Sequence, residues 1–85
     1  MKISTSSYFK RKYKKLSASL KEKAKRREMI FRKNPFDPRL ETHKLHGKYK
    51  KYWAFSVTQT HRIMFDFLGN NEVHFIDVDD HSLYK

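Results

Sequence analysis

Five histidines are the side chains of this 85-residue sequence that are best suited to moving protons near neutral pH. His61 and His74 alternate with apolar residues in predicted strands, so we expect both to be partly exposed sheet residues. His81 differs, because it follows the last predicted strand directly after Asp79 and Asp80. It is therefore the histidine whose setting is most typical of an acid–base group.

The other two histidines, His43 and His46, form a His-x-x-His pair that could be proposed as a zinc site. That spacing suits a helix, whereas here it lies near a predicted strand, and no third ligand is identifiable. The sequence has no cysteine that could complete a site or form a disulfide. Asp77, Asp79 and Asp80 would form a metal-binding cluster only if the last strand extends that far. We therefore expect neither a metal ion nor a small-molecule cofactor.

Metal-free cleavage of RNA fits these residue types better. The reaction needs a base for the 2′-hydroxyl, cations that stabilise the developing negative charge on the phosphorane, and an acid for the leaving 5′-oxygen. Histidine can act as acid or base, and arginine binds phosphate through two parallel hydrogen bonds. The sequence supplies these groups as His81, Arg62, Lys48, Lys50 and Lys51.

Positive charge is concentrated at the start of the chain. The formal net charge is +11, and residues 1–33 alone hold 13 Lys and Arg against two acids, whereas residues 62–85 hold two against five. Such a basic block indicates a polyanionic partner, namely nucleic acid, an anionic membrane or an acidic protein. The alternative is a solvated helix surface that only keeps the protein soluble.

The first 33 residues have helical periodicity after a short possible strand at Lys2–Thr5. We predict a helical hairpin over residues 6–33, although a single bent helix would also fit. Ser19 and Glu22 have the spacing of a capping box at the start of a second helix. That helix should end at Asn34, before two prolines. Phe9, Tyr13, Leu16 and Leu20 recur with the period of one helical face, and the second helix would direct Leu20, Ala24 and Phe31 inward.

Beyond residue 40 the apolar residues alternate, which indicates strands. Residues 53–58, 63–67 and 73–78 each fit a strand, and residues 42–45 fit a further short one. Gly69-Asn70-Asn71 supplies residues that tolerate positive φ in a tight turn. Ile76 is apolar and falls on the opposite face of its strand from Val73 and Phe75, which indicates that both sheet faces are partly covered. We predict one α+β domain over residues 1–85, with an N-terminal helical hairpin packed on a small antiparallel sheet.

The sequence also limits where the protein acts. No apolar run approaches the roughly 20 residues that span a bilayer, and the charged, serine-rich start has no signal-peptide core. We expect a cytoplasmic protein with no membrane partner.

Two stretches of the chain resemble the RelE/ParE toxin superfamily, in particular its RelE branch with YafQ- and YoeB-like members. The first contains His-x-Leu-x-Gly from His43, followed by Trp53. The second begins with the Arg62-Ile pair and ends with His81 and Tyr84. The resemblance implies a RelE-like, microbial-RNase-like fold. It also implies a toxin that cleaves mRNA in the ribosomal A site and is neutralised by a cognate antitoxin.

The resemblance also implies roles for individual residues. Arg62 matches the strand arginine that contacts the scissile phosphate, His81 the C-terminal acid or base, and Tyr84 the terminal aromatic residue. His43 matches a histidine found in several members. The remaining positions, expected to contact RNA, are Lys48, Lys50, Lys51 and His46.

The chain departs from the family pattern at two places. Asp79 and Asp80 stand where many members have small or uncharged residues; two carboxylates favour protonated His81 but repel RNA. The interval from His81 to Tyr84 is one residue shorter than is common. Three alternatives therefore stay open beside the ribonuclease: a ParE-like gyrase poison, a non-catalytic nucleic-acid-binding module and an inactive toxin.

Overall fold

In the part of the chain that the structure describes, two helices and five strands follow each other in an order that brings the first strand beside the last. A computed structural model describes residues 1–80. Two single-turn 3₁₀ helices, Pro38–Leu40 and Gly47–Tyr49, interrupt the connection between the helices and the central strands. The other elements are β1 Lys2–Thr5, α1 Ser7–Lys14, α2 Ala18–Lys33, β2 His43–Lys44, β3 Trp53–Ser56, β4 His61–Gly69 and β5 Glu72–Asp80.

The five strands form one sheet in the order β1-β5-β4-β3-β2. β2 to β5 pair antiparallel with their neighbours along the chain, as predicted. The prediction of an antiparallel sheet is wrong for β1, which pairs parallel with β5. Lys2 lies opposite Glu72, and Thr5 lies opposite Phe75. Both helices lie in the sequence between these two strands, and a parallel pair requires such a long crossover. The α+β class is confirmed, and its sheet is mixed.

Serine side chains cap the N-termini of both helices. The Ser6 hydroxyl accepts a hydrogen bond from the Phe9 amide, and the Ser17 hydroxyl accepts one from the Leu20 amide. The predicted capping box at Ser19 is wrong, because α2 begins two residues earlier and Ser19 lies inside it. The predicted hairpin is confirmed as two separate helices, and α2 ends before Asn34. Neither helix is long and apolar enough to cross a membrane, within residues 1–80.

The face of the sheet that the helices cover, here called the helical face, is built around Phe31 of α2. Its ring is fully buried and lies 4.7 Å from the ring centroid of Phe55, 5.0 Å from Phe65 and 5.7 Å from Phe75. Phe9 of α1 contributes a further contact to Phe75 at 5.6 Å. Phe31 stacks on Phe55 and meets Phe65 and Phe75 edge-to-face, and both geometries add to the stabilisation from area burial.

The opposite face, here called the far face, carries a second, smaller cluster of buried residues. Leu45, Ala54 and Met64 form it, and Tyr49, Tyr52 and Ile76 pack against it. The prediction from Ile76 that both faces are partly covered is confirmed.

A register shift in the β4–β5 pair assigns the last strand's residues to the two faces. Phe65 lies opposite Phe75, whereas Met64 lies opposite Asp77, so Ile76 is an extra residue. The shift brings Val78 onto the helical face with Phe75. Because β5 continues to Asp80, Asp77 and Asp79 share the far face.

The burial of Phe31 predicts a large loss of stability when its ring is removed. Phe31→Ala should lower the free energy of unfolding by about 3–5 kcal/mol, since three aromatic partners lose their central contact. Urea denaturation followed by circular dichroism measures the change. Met29→Ala, two residues earlier on the same helix, is the control, because Met29 is 65% exposed. A similar effect of the two substitutions would contradict the assignment of Phe31 as the centre of the core.

Candidate active site

Arg62 and His43, 19 positions apart in sequence, meet on the far face of the sheet. His43 lies opposite Ala54 in the β2–β3 pair, and Arg62 lies opposite Ser56 in the β3–β4 pair. The guanidinium Nη1 of Arg62 is 3.3 Å from Nε2 of His43. The sheet therefore brings together two of the side chains predicted to act on RNA.

The hydrogen bonds of His43 define which ring nitrogen can take a proton. Nδ1 is 2.9 Å from the carbonyl oxygen of Glu41, which can only accept, so Nδ1 carries the hydrogen. The guanidinium of Arg62 can only donate, so Nε2 is the accepting nitrogen. Both contacts are satisfied by one neutral tautomer, whose proton-accepting nitrogen faces a permanent cation.

The turn before His43 is held by side chains that bond to nearby backbone. Asp37 accepts hydrogen bonds from the amide and the guanidinium Nε of Arg39, and the buried Leu40 fixes the turn to the core. Glu41 then adopts a left-handed conformation with φ of 52°, which reverses the chain into β2. The hydrogen bond from Arg39 is the main cause that lowers the pKa of Asp37 from 3.8 to about 2.

The predicted RNA-binding lysines surround the second 3₁₀ turn and are exposed. Lys48 places Nζ 5.2 Å from the ring centroid of Tyr49, and Tyr49 packs on the far-face cluster. Lys50 and Lys51 follow, and His46 precedes the turn, also exposed. Within residues 1–80 no hydrogen bond joins any of these four to Arg62 or His43. The loop thus adds positive charge to the far face without contacting the Arg62–His43 pair.

Trp53 and the remaining histidines have structural contacts. Trp53 packs against Phe36 and Phe67 at the margin of the core, with ring centroids 5.6 and 5.5 Å away. His61 and His74 are partly exposed sheet residues, as predicted, and bond to the hydroxyls of Thr60 and Ser4. In the described part of the chain, no three His, Cys, Asp or Glu residues are grouped to hold a metal ion.

Comparison with known proteins gives a match through structure alone. No protein-family model and no curated protein matches the sequence. A YoeB/ParE toxin from Agrobacterium tumefaciens superposes with a TM-score of 0.79 at 21% identity, over 95% of this chain and 99% of that one. YafQ from E. coli strain BL21(DE3) superposes with a TM-score of 0.75 at 18% identity, over 95% of this chain and 93% of that one. A chain of the YoeB–YefM complex from Staphylococcus aureus superposes with a TM-score of 0.76 at 15% identity, over 95% of this chain and 97% of that one.

This chain has the RelE/ParE toxin fold. The resemblance that the sequence motifs carried is thereby confirmed at the level of the fold, across nearly the whole length of the solved toxins. Two of the residues that the resemblance assigned, His81 and Tyr84, lie outside the described residues, and their roles stay predictions. The last described residue of the fold, Asp80, lies opposite His61, one position from Arg62.

Sequence reasoning missed one residue that the RelE/ParE fold brings to this region, Lys12 of α1. Its ammonium group forms an ion pair with Asp79 and lies 3.5 Å from Oδ1 of Asp77. Lys12 is one of 13 basic residues in the first 33, and nothing in its local sequence distinguishes it from the others. Only the packing of α1 along β5 identifies it.

The Asp37–Arg39 pair predicts a pH-dependent contribution to stability. The pKa of Asp37 is lowered in the folded protein, so its contribution is present above 3.8 and is lost as the pH falls through about 2. Asp37→Asn should therefore lower Tm at pH 7, and the difference from the wild type should vanish near pH 2. Thermal unfolding at a series of pH values measures this.

Arg39→Gln is the matched variant, because it removes the cation and leaves the carboxylate. It should reproduce the loss at pH 7, and adding Asp37→Asn to it should cost little more. A difference between Asp37→Asn and the wild type that stays constant down to pH 2 would contradict the assignment.

Proposed function

We propose that this protein is the toxin of a toxin–antitoxin pair and acts as a metal-independent, ribosome-dependent endoribonuclease in the cytoplasm. The Arg62–His43 pair carries the proposal, because it places a phosphate-binding cation beside a neutral, proton-accepting imidazole on the far face. The toxin fold of the neighbours supports it, as does the net charge of +11.

The proposed reaction follows from these two side chains. The Arg62 guanidinium binds two non-bridging oxygens of the scissile phosphate and stabilises the charge that develops on them. Nε2 of His43 takes the proton of the adjacent 2′-hydroxyl, whose oxygen attacks phosphorus. The bond from phosphorus to the 5′-oxygen breaks, and an acid protonates that oxygen. The products are a 2′,3′-cyclic phosphate and a free 5′-hydroxyl.

His81 is the acid in this proposal, and Tyr84 is proposed as a further catalytic residue. Both assignments come from the family resemblance.

Ribosome and mRNA binding is proposed from charge. Lys48, Lys50 and Lys51 are exposed on the loop that packs over the far face, and α1 and α2 carry most of the other cations. Contacts of this kind neutralise phosphates, speed association and weaken steeply with salt.

A cognate antitoxin is the proposed protein partner. The solved neighbours include a YoeB–YefM and a DinJ–YafQ complex. In this chain a groove of about 750 Å³ runs between α1 and α2. Its floor is apolar, with Phe9, Tyr13 and Ala24, and its edges carry Lys10, Lys14, Lys21 and Lys25. This combination suits an amphipathic segment flanked by acidic residues.

Substitution at the site tests the proposed function. Arg62→Ala and His43→Ala should each reduce cleavage of ribosome-bound mRNA by about 100-fold or more, since each removes a group required in the transition state. Primer extension on ribosomes programmed with a defined mRNA maps the cuts, with free mRNA alongside. His74→Ala is the control, because His74 lies on the same face and bonds only to Ser4 in the described residues.

Three outcomes would redirect the assignment. Full cleavage by both variants would remove Arg62 and His43 from the site. Cleaved DNA–gyrase complexes without mRNA cleavage would select the gyrase poison. Salt-sensitive RNA binding by the folded wild type, without cleavage or toxicity, would select a non-catalytic binding module or an inactive toxin.

The attack by the 2′-hydroxyl gives a separate prediction about the substrate. A single 2′-deoxynucleotide on the 5′ side of the cut should abolish cleavage at that bond, because the nucleophile is missing. The same substitution one nucleotide upstream is the control and should leave the cut in place. The products should carry a 5′-hydroxyl that polynucleotide kinase labels without prior phosphatase treatment. A 5′-phosphate would exclude this mechanism.

A further inference from the structure

We propose that Lys12 is a positioning residue that keeps Arg62 available for phosphate by occupying the carboxylates of Asp79 and Asp77. The effect of Lys12 on catalysis rests on the proposed function. Its physical basis is independent of that function, because it concerns which cation pairs with Asp79.

Arg62 and Asp79 are in a position to neutralise each other. They lie directly opposite in the β4–β5 register, and paired residues of antiparallel strands project from the same face. An arginine and a carboxylate at this spacing ordinarily form a charge-assisted pair. Such a pair would consume the guanidinium that the phosphate needs.

The described contacts show a different arrangement. One carboxylate oxygen of Asp79 is paired with the ammonium of Lys12, and the other accepts the amide of Asp80 at 2.7 Å. Arg62 forms no ion pair within residues 1–80, and its guanidinium points to Nε2 of His43 at 3.3 Å. The competing carboxylate is therefore engaged by a cation from another element.

The fold fixes Lys12 at this place. β1 ends at Thr5, and α1 continues along the same edge of β5. The Ser6 amide donates to the carbonyl of Phe75 at 3.0 Å, and the Ser6 hydroxyl donates to that of Ile76 at 2.7 Å. The Phe9 ring contacts Phe75 on the helical face. These contacts at Ser6 and Phe9 fix the first turn of α1 against β5, and Lys12 lies about one turn beyond Phe9.

Lys12 also serves Asp77, which is only 6% exposed. A carboxylate at this depth needs a nearby cation, because burial without one is costly. The same ammonium group therefore lies beside two carboxylates, and removing it takes the cation away from Asp79, which lies opposite Arg62. The guanidinium opposite Asp79 is then the available counter-ion.

A set of four variants tests this arrangement: Lys12→Met, Lys12→Arg, Asp79→Asn and the double variant Lys12→Met/Asp79→Asn. The first probe is inorganic phosphate, titrated while the Nε–H resonance of Arg62 is followed by NMR. Lys12→Met should weaken the phosphate response of Arg62 by about tenfold, the effect of one competing charged hydrogen bond. Lys12→Arg and the double variant should restore it. Lys10→Met, an exposed lysine of the same helix, should change it little.

The catalytic readout separates positioning from a structural role. In ribosome-dependent cleavage, Lys12→Met should raise KM more than it lowers kcat, and Asp79→Asn in the double variant should reverse this. Failure of the wild type to cleave would overturn the proposed function only, because the NMR titration judges Lys12 without cleavage.

Two results would overturn the proposal itself. If the double variant binds phosphate at Arg62 as poorly as Lys12→Met, the carboxylate is not the competitor. If Asp79→Asn alone weakens the response, Asp79 supports Arg62 instead of competing with it. The measurement on Asp79→Asn decides the question even where Lys12→Met does not fold. A wild-type protein whose Arg62 resonance never responds to phosphate would also refute the proposal.

Discussion

The pairing of β4 with β5 is the interaction on which the arrangement of both sheet faces depends. It is the longest strand pair, and one of its two register shifts leaves Ile76 as an extra residue. With strict alternation from Phe75, Asp77 would project onto the helical face, among aromatic rings. The shift instead brings Val78 to the core and directs Asp77 and Asp79 to the face that carries Arg62. A single bulge therefore separates the hydrophobic core from the charged groups.

Charge is distributed so that the most basic part of the chain covers its most acidic part. The helices carry most of the cations, and β5 carries four of the nine acidic residues. Where α1 crosses the edge of β5, a lysine and two carboxylates are partly or fully removed from solvent. Elsewhere on the helices the ion pairs are exposed, as between Arg26 and Glu22, and contribute little. The remaining positive charge is free to act on a partner.

Much of this fold could be predicted because its signals are local. The period of the apolar residues located both helices and the main strands, and the prolines located the end of α2. The turn residues are confirmed, with Gly69 and Asn71 at positive φ. The helix start was misplaced because Ser17 and Ser19 both suit an N-cap, and it is the Ser17 hydroxyl that accepts the Leu20 amide.

What could not be predicted depends on contacts between distant residues. The parallel pairing of β1 joins residues 70 positions apart, and no local pattern encodes it. Lys12 was missed for the same reason. Arg62 and His43 were named from residue type and resemblance, yet their contact, and the tautomer of His43, follow from the turn at Glu41. The sequence could supply the chemistry of the site, and the long-range pairings supply its geometry.

The position of β1 has a consequence for how the protein folds as it is synthesised. Among the elements of residues 1–80, β1 leaves the ribosome before all the others, and its partner β5 leaves after them. Until residues 72–75 have emerged, β1 has no strand to pair with, and α1 has no edge on which to dock. Topologies with such distant contacts fold slowly, because a long loop must close before the contacts form. The face that carries Arg62 therefore cannot be completed before residues 72–80 of β5 have emerged.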